Sequence, residues 1–352
     1  MQGELGTRVA LAGMQEIGML ILSENAAMTS QTNDVNRQTC GMTIVEVLVA
    51  IGIVGVLAAL LLMAVMPIRE TARNASCNNN LRQIGLALLA YEATWKSFPP
   101  GTSFDGISAH ARLLPQVEEG ALFEKMNFDA SFHDQAPELR FAPAVFLCPS
   151  RVTPDQRTIA ATGPTNYLFI AGGGLPGVEN GVIVGTPEDG KLIRMASITD
   201  GQSNTAVMTE CATTPVVSPK SKPAYGWQTS LFKTSKRYDV ETELDAFTSE
   251  CIVIGENPSE YLERRSRGLG SEWLFGSLGI TRIINSIPDL ATNCTNRGST
   301  VSGLYSPSSN HRSTFGIVFA DGSVHALTRE IDPDLWKAIG SINGRESFNG
   351  VL

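Results

Sequence analysis

Three groups of residues in this chain have types and spacings that could do chemistry. The first is Glu46, a lone carboxylate at the mouth of an uncharged run from Val47 to Met66. A carboxylate beside hydrocarbon is costly, and one kept there is either a functional pointer or a side chain that snorkels to the interface. The second is His311, followed after nine residues by Asp321-Gly322. An imidazole and a carboxylate could pass a proton or share a metal. Ser308, Ser309 and Ser313 surround His311, but the chain has no G-x-S-x-G and no H-E-x-x-H. The reading adopted is plainer: Asp321 makes a turn and His311 hydrogen-bonds at a loop end. The third group, Asp200, Glu210 and Asp321, offers oxygen ligands of the kind calcium takes, without EF-hand spacing. Six cysteines (Cys40, Cys77, Cys148, Cys211, Cys251, Cys294) form no C-x-x-C pair and show no zinc spacing with the four histidines. The expectation is therefore no catalytic residue, no metal and no cofactor, with calcium as the one exception raised.

The elements that must position these residues begin with the apolar run. About 20 residues at 1.5 Å each match a hydrocarbon core of about 30 Å, so 42–66 is a candidate membrane helix with flexible points at Gly52 and Gly55. Beyond it the pattern stays helical and turns amphipathic. Leu81, Ile84, Leu88, Tyr91 and Trp95 recur at spacings of three and four, while Arg69, Glu70, Arg73, Arg82 and Gln83 lie largely off that stripe. Pro67 is expected to kink the helix, Asn78-Asn79-Asn80 to weaken it, and Pro99-Pro100-Gly101 to stop it. Unbroken from Met42 to Trp95, it would reach about 80 Å.

The remainder reads as mainly β. Short β-prone runs (Val145–Leu147, Tyr167–Ile170, Val182–Val184, Ala206–Thr209, Ile252–Ile254, Ile280–Ile284) are punctuated by glycine and proline. Phe315–Phe319 and Ser323–Leu327 flank Asp321-Gly322, which predicts a hairpin with a type I′ turn. Asp332-Pro333-Asp334 predicts a capped helix over Leu335 to Ile339. Gly172-Gly173-Gly174 lacks the spacing of a nucleotide loop. The net charge is −8 with no basic block, which argues against nucleic acid as a partner. Residues 1–40 are polar apart from Ile17–Leu22, too short for a span or a secretory core. Met28 offers an alternative translation start.

The order of these features is the reverse of a secretory signal: a polar leader ends in Gly41 and the apolar run follows. Gly41-Met42-Thr43, then Glu46 and the run, resembles the type IV prepilin signal, with methionine where phenylalanine is commoner. The resemblance implies cleavage after Gly41 by a dedicated aspartic peptidase, N-methylation of Met42 by the same enzyme, and Glu46 as an assembly contact. Further segments resemble a prepilin-like family abundant in planctomycete bacteria, domain of unknown function 1559. They are Cys77 to Leu88, Ser97 to Gly101, Leu113 to Glu118, Phe146 to Ser150, Thr165 to Tyr167, Ile198 to Thr205 with Glu210, and His311-x9-Asp321-Gly322. Arg69, Arg73 and Arg82 after the run, against Arg37 before it, would favour the opposite orientation by charge alone. The prepilin pattern instead puts the leader in the cytoplasm.

The resemblance implies an α+β, pilin-like fold, with a long N-terminal transmembrane helix packed on a β-rich exported globular domain. The divisions are a leader (1–41), a membrane segment (42–66), an amphipathic continuation (67–97), a globular domain (98–346) with variable insertions at about 215–300, and a tail (347–352). The expected role is a structural subunit of a pilus or a type II secretion pseudopilus, and not an enzyme. It would be a single-pass protein of the inner (cytoplasmic) membrane with its C-terminal domain in the periplasm or at the cell surface. Its partners would be the prepilin peptidase/methyltransferase, other pilin-like subunits, the assembly machinery and membrane lipid. Two alternatives stay open: an anchored module that binds a ligand, glycan or calcium without polymerising, and an anchored hydrolase. Loss of Cys40 with the leader would leave five cysteines, enough for one or two bridges of underivable pairing.

Overall fold

The structure, a computed structural model, describes residues 43–150, 163–186, 191–213, 229–266, 268–299, 301–311 and 314–344, without the side chains of 61–67. The leader, Gly41, Met42 and the tail lie outside the described residues. The chain divides into two compact units, Met1–Met63 and Ala64–Leu352.

Helix α1 runs Ile44–Trp95. A capping box starts it. The Thr43 hydroxyl accepts the Glu46 N–H (3.3 Å). The Glu46 carboxylate accepts the Thr43 N–H (2.8 Å) and hydroxyl (2.9 Å) in return. The helix carries on through Pro67 and through Asn78-Asn79-Asn80, so the expected break at the asparagines is absent. Their side chains do not compete with the helix backbone. Asn78 Nδ2 donates to Asn74 Oδ1 (3.1 Å), and Asn80 Nδ2 donates to the Leu147 carbonyl (3.0 Å).

Among the described residues no helix is long and apolar enough to cross a membrane. The span expected over 42–66 is therefore not met as such. The side chains of 61–67 lie outside the described residues, and the stretch before them, Ile44 to Leu60, is shorter than the ~20 residues a hydrocarbon core requires. Its side chains are exposed.

In the second unit the amphipathic stripe docks as its spacing predicts. Cys77, Leu81, Ile84, Leu88 and Tyr91 are buried, but Trp95 is 65% exposed. The stripe ends one turn early because the chain leaves the helix at Lys96 (φ +58°) and Phe98 enters the core instead.

Eight strands are described: β1 (Tyr167–Gly173), β2 (Ala206–Glu210), β3 (Leu231–Lys233), β4 (Arg282–Asn285), β5 (Asn293–Thr295), β6 (Gly303–Leu304), β7 (Thr314–Phe319) and β8 (Val324–Thr328). Helix α2 (Leu244–Glu256) lies between β3 and β4, and helix α3 (Pro333–Ala338) follows β8. The main sheet has the order β4-β1-β2-β7-β8, antiparallel except for the parallel pair β1/β4. The inner strands β1 and β2 are buried along their whole length, whereas the edge strand β8 is largely exposed. Tyr167 and Phe169 of β1 join the core around α1, and Leu168 and Ile170 join a second core with Trp336 of α3. The second sheet, β3-β5-β6, packs with α2 around Phe232, Phe247 and Leu304.

Three β-prone runs take other forms. Val145–Leu147 lies in and after a 3₁₀ turn, Ala144–Phe146. Val182–Val184 is buried but pairs in no strand. Ile252–Ile254 sits in α2, where Phe247, Cys251 and Ile254 recur at helical spacing and are buried. The cap of α3 holds: Asp332 Oδ1 accepts the N–H groups of Asp334 (2.9 Å) and Leu335 (3.0 Å). Disulfides join Cys77 to Cys148 and Cys251 to Cys294, and Cys211 is a buried free thiol.

Candidate functional site

Inside the second unit, segments far apart in sequence converge on one buried cluster. Helix α1 brings Glu70 and Cys77, the latter bonded to Cys148 just past the 3₁₀ turn. Glu210 ends β2, and His311 precedes β7. Neighbouring polar groups hold these pieces. Asn166 Oδ1 accepts the Cys148 N–H (3.0 Å), while its amide donates to the Cys211 carbonyl (3.0 Å) and the Thr213 hydroxyl (3.0 Å). The Tyr167 hydroxyl donates to the Cys77 carbonyl (3.4 Å). One ligand atom each from Cys77, Cys148, Glu210 and His311 lies within 4.8 Å of the others, and all four residues are buried.

His311 is the hub. Its Nδ1 is 2.8 Å from Glu70 Oε1. Its Nε2 faces inward, 3.6 Å from Cys148 Sγ and 3.6 Å from Glu210 Oε1. Glu70 also accepts the Ser150 hydroxyl (3.0 Å) and lies 3.6 Å from Arg73. Partial burial pushes the Glu70 carboxyl up, yet the bonds from His311 and Ser150 and the His311 and Arg73 charges bring it below its ordinary value. Glu210 is displaced the other way. Burial raises it, against the opposing pull of His311, the Gly316 N–H and the Ser309 hydroxyl. Gly316 donates to Glu210 Oε2 (3.2 Å), but Glu210 Oε1 has no hydrogen-bond partner among the described residues.

The other end of the His311/Asp321-Gly322 signature also touches α1. Strands β7 and β8 pair as the sequence predicts. The turn, however, is not type I′, since of the two residues only Gly322 has positive φ (+82°). Gly322 N–H bonds the Phe319 carbonyl (2.9 Å), and Phe319 N–H bonds the Ser323 carbonyl (3.0 Å), closing a three-residue loop with its left-handed residue last. Asp321 Oδ1 accepts the Ser323 N–H (2.9 Å). A Cβ on Gly322 would meet Leu89 Cδ1 at 2.8 Å, and one on Gly85 would meet the Gly322 carbonyl at 3.1 Å. The signature thus clamps β7 to α1 at both ends, by His311–Glu70 and by the Gly322–Gly85 approach.

The sequence-predicted residues separate into two groups. Gly41 and Met42 lie outside the described residues, and Glu46 is exposed within the capping box. The carboxylates raised for calcium are engaged apart from one another. Asp200 accepts the Gly344 N–H (2.7 Å), Glu210 joins the His311 cluster and Asp321 serves its turn. His311 is buried, not merely at a loop end. Glu70 carried no signal, because its partner lies 241 residues away. Of the other histidines, His110 donates from Nε2 to the Tyr167 carbonyl (2.9 Å), and burial lowers it to about 4.

A family model described as "Protein of unknown function (DUF1559)" matches residues 66–334. A second, "Prokaryotic N-terminal methylation motif", matches residues 36–62. Neither a curated protein nor a solved structure matches the chain.

Proposed function

We propose that this chain, which belongs to the DUF1559 family and carries the N-terminal methylation motif of type IV pilin-like precursors, is a structural subunit of a pilus-like filament or secretion pseudopilus. The observation that carries this reading is the motif match over 36–62, which contains Gly41, Met42 and Glu46. Prepilin peptidase cuts after Gly41 and methylates the new amino group on Met42. The apolar run from Val47 to Met66 then holds the chain in the inner membrane, with the β-rich unit exported. On assembly the run passes from lipid into a bundle of like helices, so its exposed face from Ile44 to Leu60 suits both surroundings. There Glu46 meets the methylated amino group of a neighbouring Met42, and the low dielectric strengthens their attraction. In this reading the role is structural and not enzymatic.

Mass spectrometry of the native N-terminus tests this. A mature chain beginning with N-methylated Met42 is expected. An intact leader, or a cut elsewhere, sinks the assignment.

One observation favours the second reading, an anchored binding module. Between β2 and β7 the chain builds a small sheet and a helix with their own core and their own disulfide, Cys251–Cys294. A subunit that serves only to polymerise has no evident need of that addition. Shear fractions distinguish the two: the chain appears in filaments if it assembles and stays in the membrane if it only binds.

A further inference from the structure

The cluster at His311 holds more chemistry than a disulfide needs. A disulfide is satisfied by its two sulfurs and apolar packing. Here it is faced by an imidazole nitrogen and a carboxylate oxygen, both buried, and that oxygen, Glu210 Oε1, has no hydrogen-bond partner among the described residues. An unsatisfied buried carboxylate oxygen is expensive. The imidazole is also oriented in a specific sense. A carboxylate on Nδ1 fixes the proton there and leaves the Nε2 lone pair directed into the cluster. Metal-binding histidines are held in this way, with the outer nitrogen donating to a carboxylate.

The two contacts of His311 Nε2 fit a tetrahedral ion. Bonds of about 2.0–2.3 Å to nitrogen, oxygen and sulfur place neighbouring ligands about 3.4–3.8 Å apart. The contacts from His311 Nε2 to Cys148 Sγ and to Glu210 Oε1 are both 3.6 Å. The two sulfurs are closer than this, because they are bonded to each other, and the remaining ligand atoms lie within 4.8 Å of one another.

We propose that Cys77, Cys148, Glu210 and His311 form a zinc-class metal site that opens when the Cys77–Cys148 disulfide is reduced and closes when exchange with a disulfide oxidant re-forms it, the two thiolates passing two electrons to that oxidant and the ion leaving to solvent. Glu70 is a positioning residue that holds the imidazole from outside. Reduction by a dithiol breaks the S–S bond and delivers two electrons and two protons. Two S–H groups form on the protein, and the dithiol closes to its own disulfide. The ion then displaces both protons to solvent and is held by two thiolates, the imidazole and the Glu210 carboxylate. Two thiolates and an imidazole select zinc-like ions over calcium or magnesium. Disulfide and metal are thus alternative closures of one site, and each fastens α1 to the Cys148 segment. In an oxidising compartment the disulfide prevails, so the metal form belongs to chains not yet oxidised or held near a dithiol reductant.

The test uses the full-length chain in detergent, reduced with a dithiol, freed of it under anaerobic conditions and titrated with Co²⁺. One Co²⁺ per chain is expected, with thiolate-to-metal charge transfer, tetrahedral d–d bands and displacement by Zn²⁺. The oxidised chain should show none of this. The spectrum should vanish in Cys77→Ser/Cys148→Ser and persist in Cys251→Ser/Cys294→Ser. His311→Gln and Glu210→Gln should shift the d–d bands, and Glu70→Gln should weaken binding by about 10–100-fold. Circular dichroism of the reduced chain checks that it stays folded. The proposal is overturned if the reduced chain, folded or not, binds no Co²⁺. It is equally overturned if the spectrum survives loss of Cys77 and Cys148, or if the bands ignore both His311 and Glu210.

Discussion

His311 Nδ1 lies 2.8 Å from Glu70 Oε1, and through this bond the last strands of the chain hold the helix that begins it. The two partners differ in surroundings. The His311 side chain is 5% exposed and that of Glu70 41%. Removing either should therefore have unequal effects. Glu70→Gln keeps an acceptor on a partly solvated group and should cost about 1 kcal/mol. His311→Ala leaves Glu210 buried without its facing group and should cost about 3 kcal/mol. Thermal melts of the two variants check the order. Equal losses would mean that the bond to Glu70 is the whole of the effect of His311.

The pH dependence of stability should carry two opposed contributions from this site. Glu210 is raised by burial, so the native state keeps its proton longer than the unfolded chain does. Its contribution is greatest below the ordinary value of 4.5 and declines as pH rises from there until the group ionises in the fold. Glu70 is lowered, so its contribution is present above 4.5 and is lost as pH falls through its folded value. Glu210→Gln should flatten the decline on the alkaline side, and Glu70→Gln should remove part of the loss on the acid side. Melting temperatures across the acid-to-neutral range decide this. A Glu210→Gln curve parallel to wild type throughout would show that Glu210 does not titrate as described.

Cys211 should be chemically silent in the folded protein. It is 1% exposed, and burial pushes its thiol up to about 12, against a bond with Ser308. Alkylation requires the thiolate and access to it. Iodoacetamide should therefore leave Cys211 unmodified in the native state and modify it fully in denaturant. Peptide mass spectrometry reads the site directly, and native-state labelling of Cys211 would contradict its burial.

Much of this fold was legible because local patterns carried it. The stripe Leu81, Ile84, Leu88 and Tyr91, the hairpin around Asp321-Gly322 and the cap at Asp332 are each set by neighbours in sequence. Failures came where tertiary contacts took over. Ile252–Ile254 looked β-prone, yet α2 uses Cys251 and Ile254 to reach the second sheet's core. Asn78 and Asn80 looked like breakers, yet one bonds along the helix and the other bonds the Leu147 carbonyl. The site was half visible. His311, Glu210, Cys77 and Cys148 all fell within segments picked out by resemblance, but no spacing joins residues that meet only through the sheet. Glu70 is one polar residue among several on the solvent side of the stripe, and nothing local sets it apart.

Gly322 should tolerate substitution poorly for two separable reasons. Its φ of +82° is unfavourable for a residue with a side chain, and a Cβ would stand 2.8 Å from Leu89 Cδ1. Gly322→Ala should cost about 2 kcal/mol or more, since the strain and the clash add. Gly322→Ala with Leu89→Ala relieves the clash but keeps the strain. If the double variant regains nothing beyond the cost of Leu89→Ala alone, the close approach of hairpin to helix is not what limits this position.

Glu46 stands in two relationships that one substitution would confuse. In the isolated chain its carboxylate closes the capping box with Thr43, at 2.8 Å to the N–H and 2.9 Å to the hydroxyl. In the proposed filament it faces a neighbour's Met42 amino group. Glu46→Gln retains an acceptor for Thr43 but loses the charge. Thr43→Ala loses the hydroxyl half of the box and keeps the charge. If Glu46 acts through charge, Glu46→Gln should leave cleavage after Gly41 intact and abolish filaments, whereas Thr43→Ala should still assemble. If it acts by starting the helix, Thr43→Ala should impair assembly at least as much as Glu46→Gln. N-terminal mass spectrometry together with filament yield in shear fractions reads both steps. Normal filaments from Glu46→Gln would remove the charge from the account of assembly.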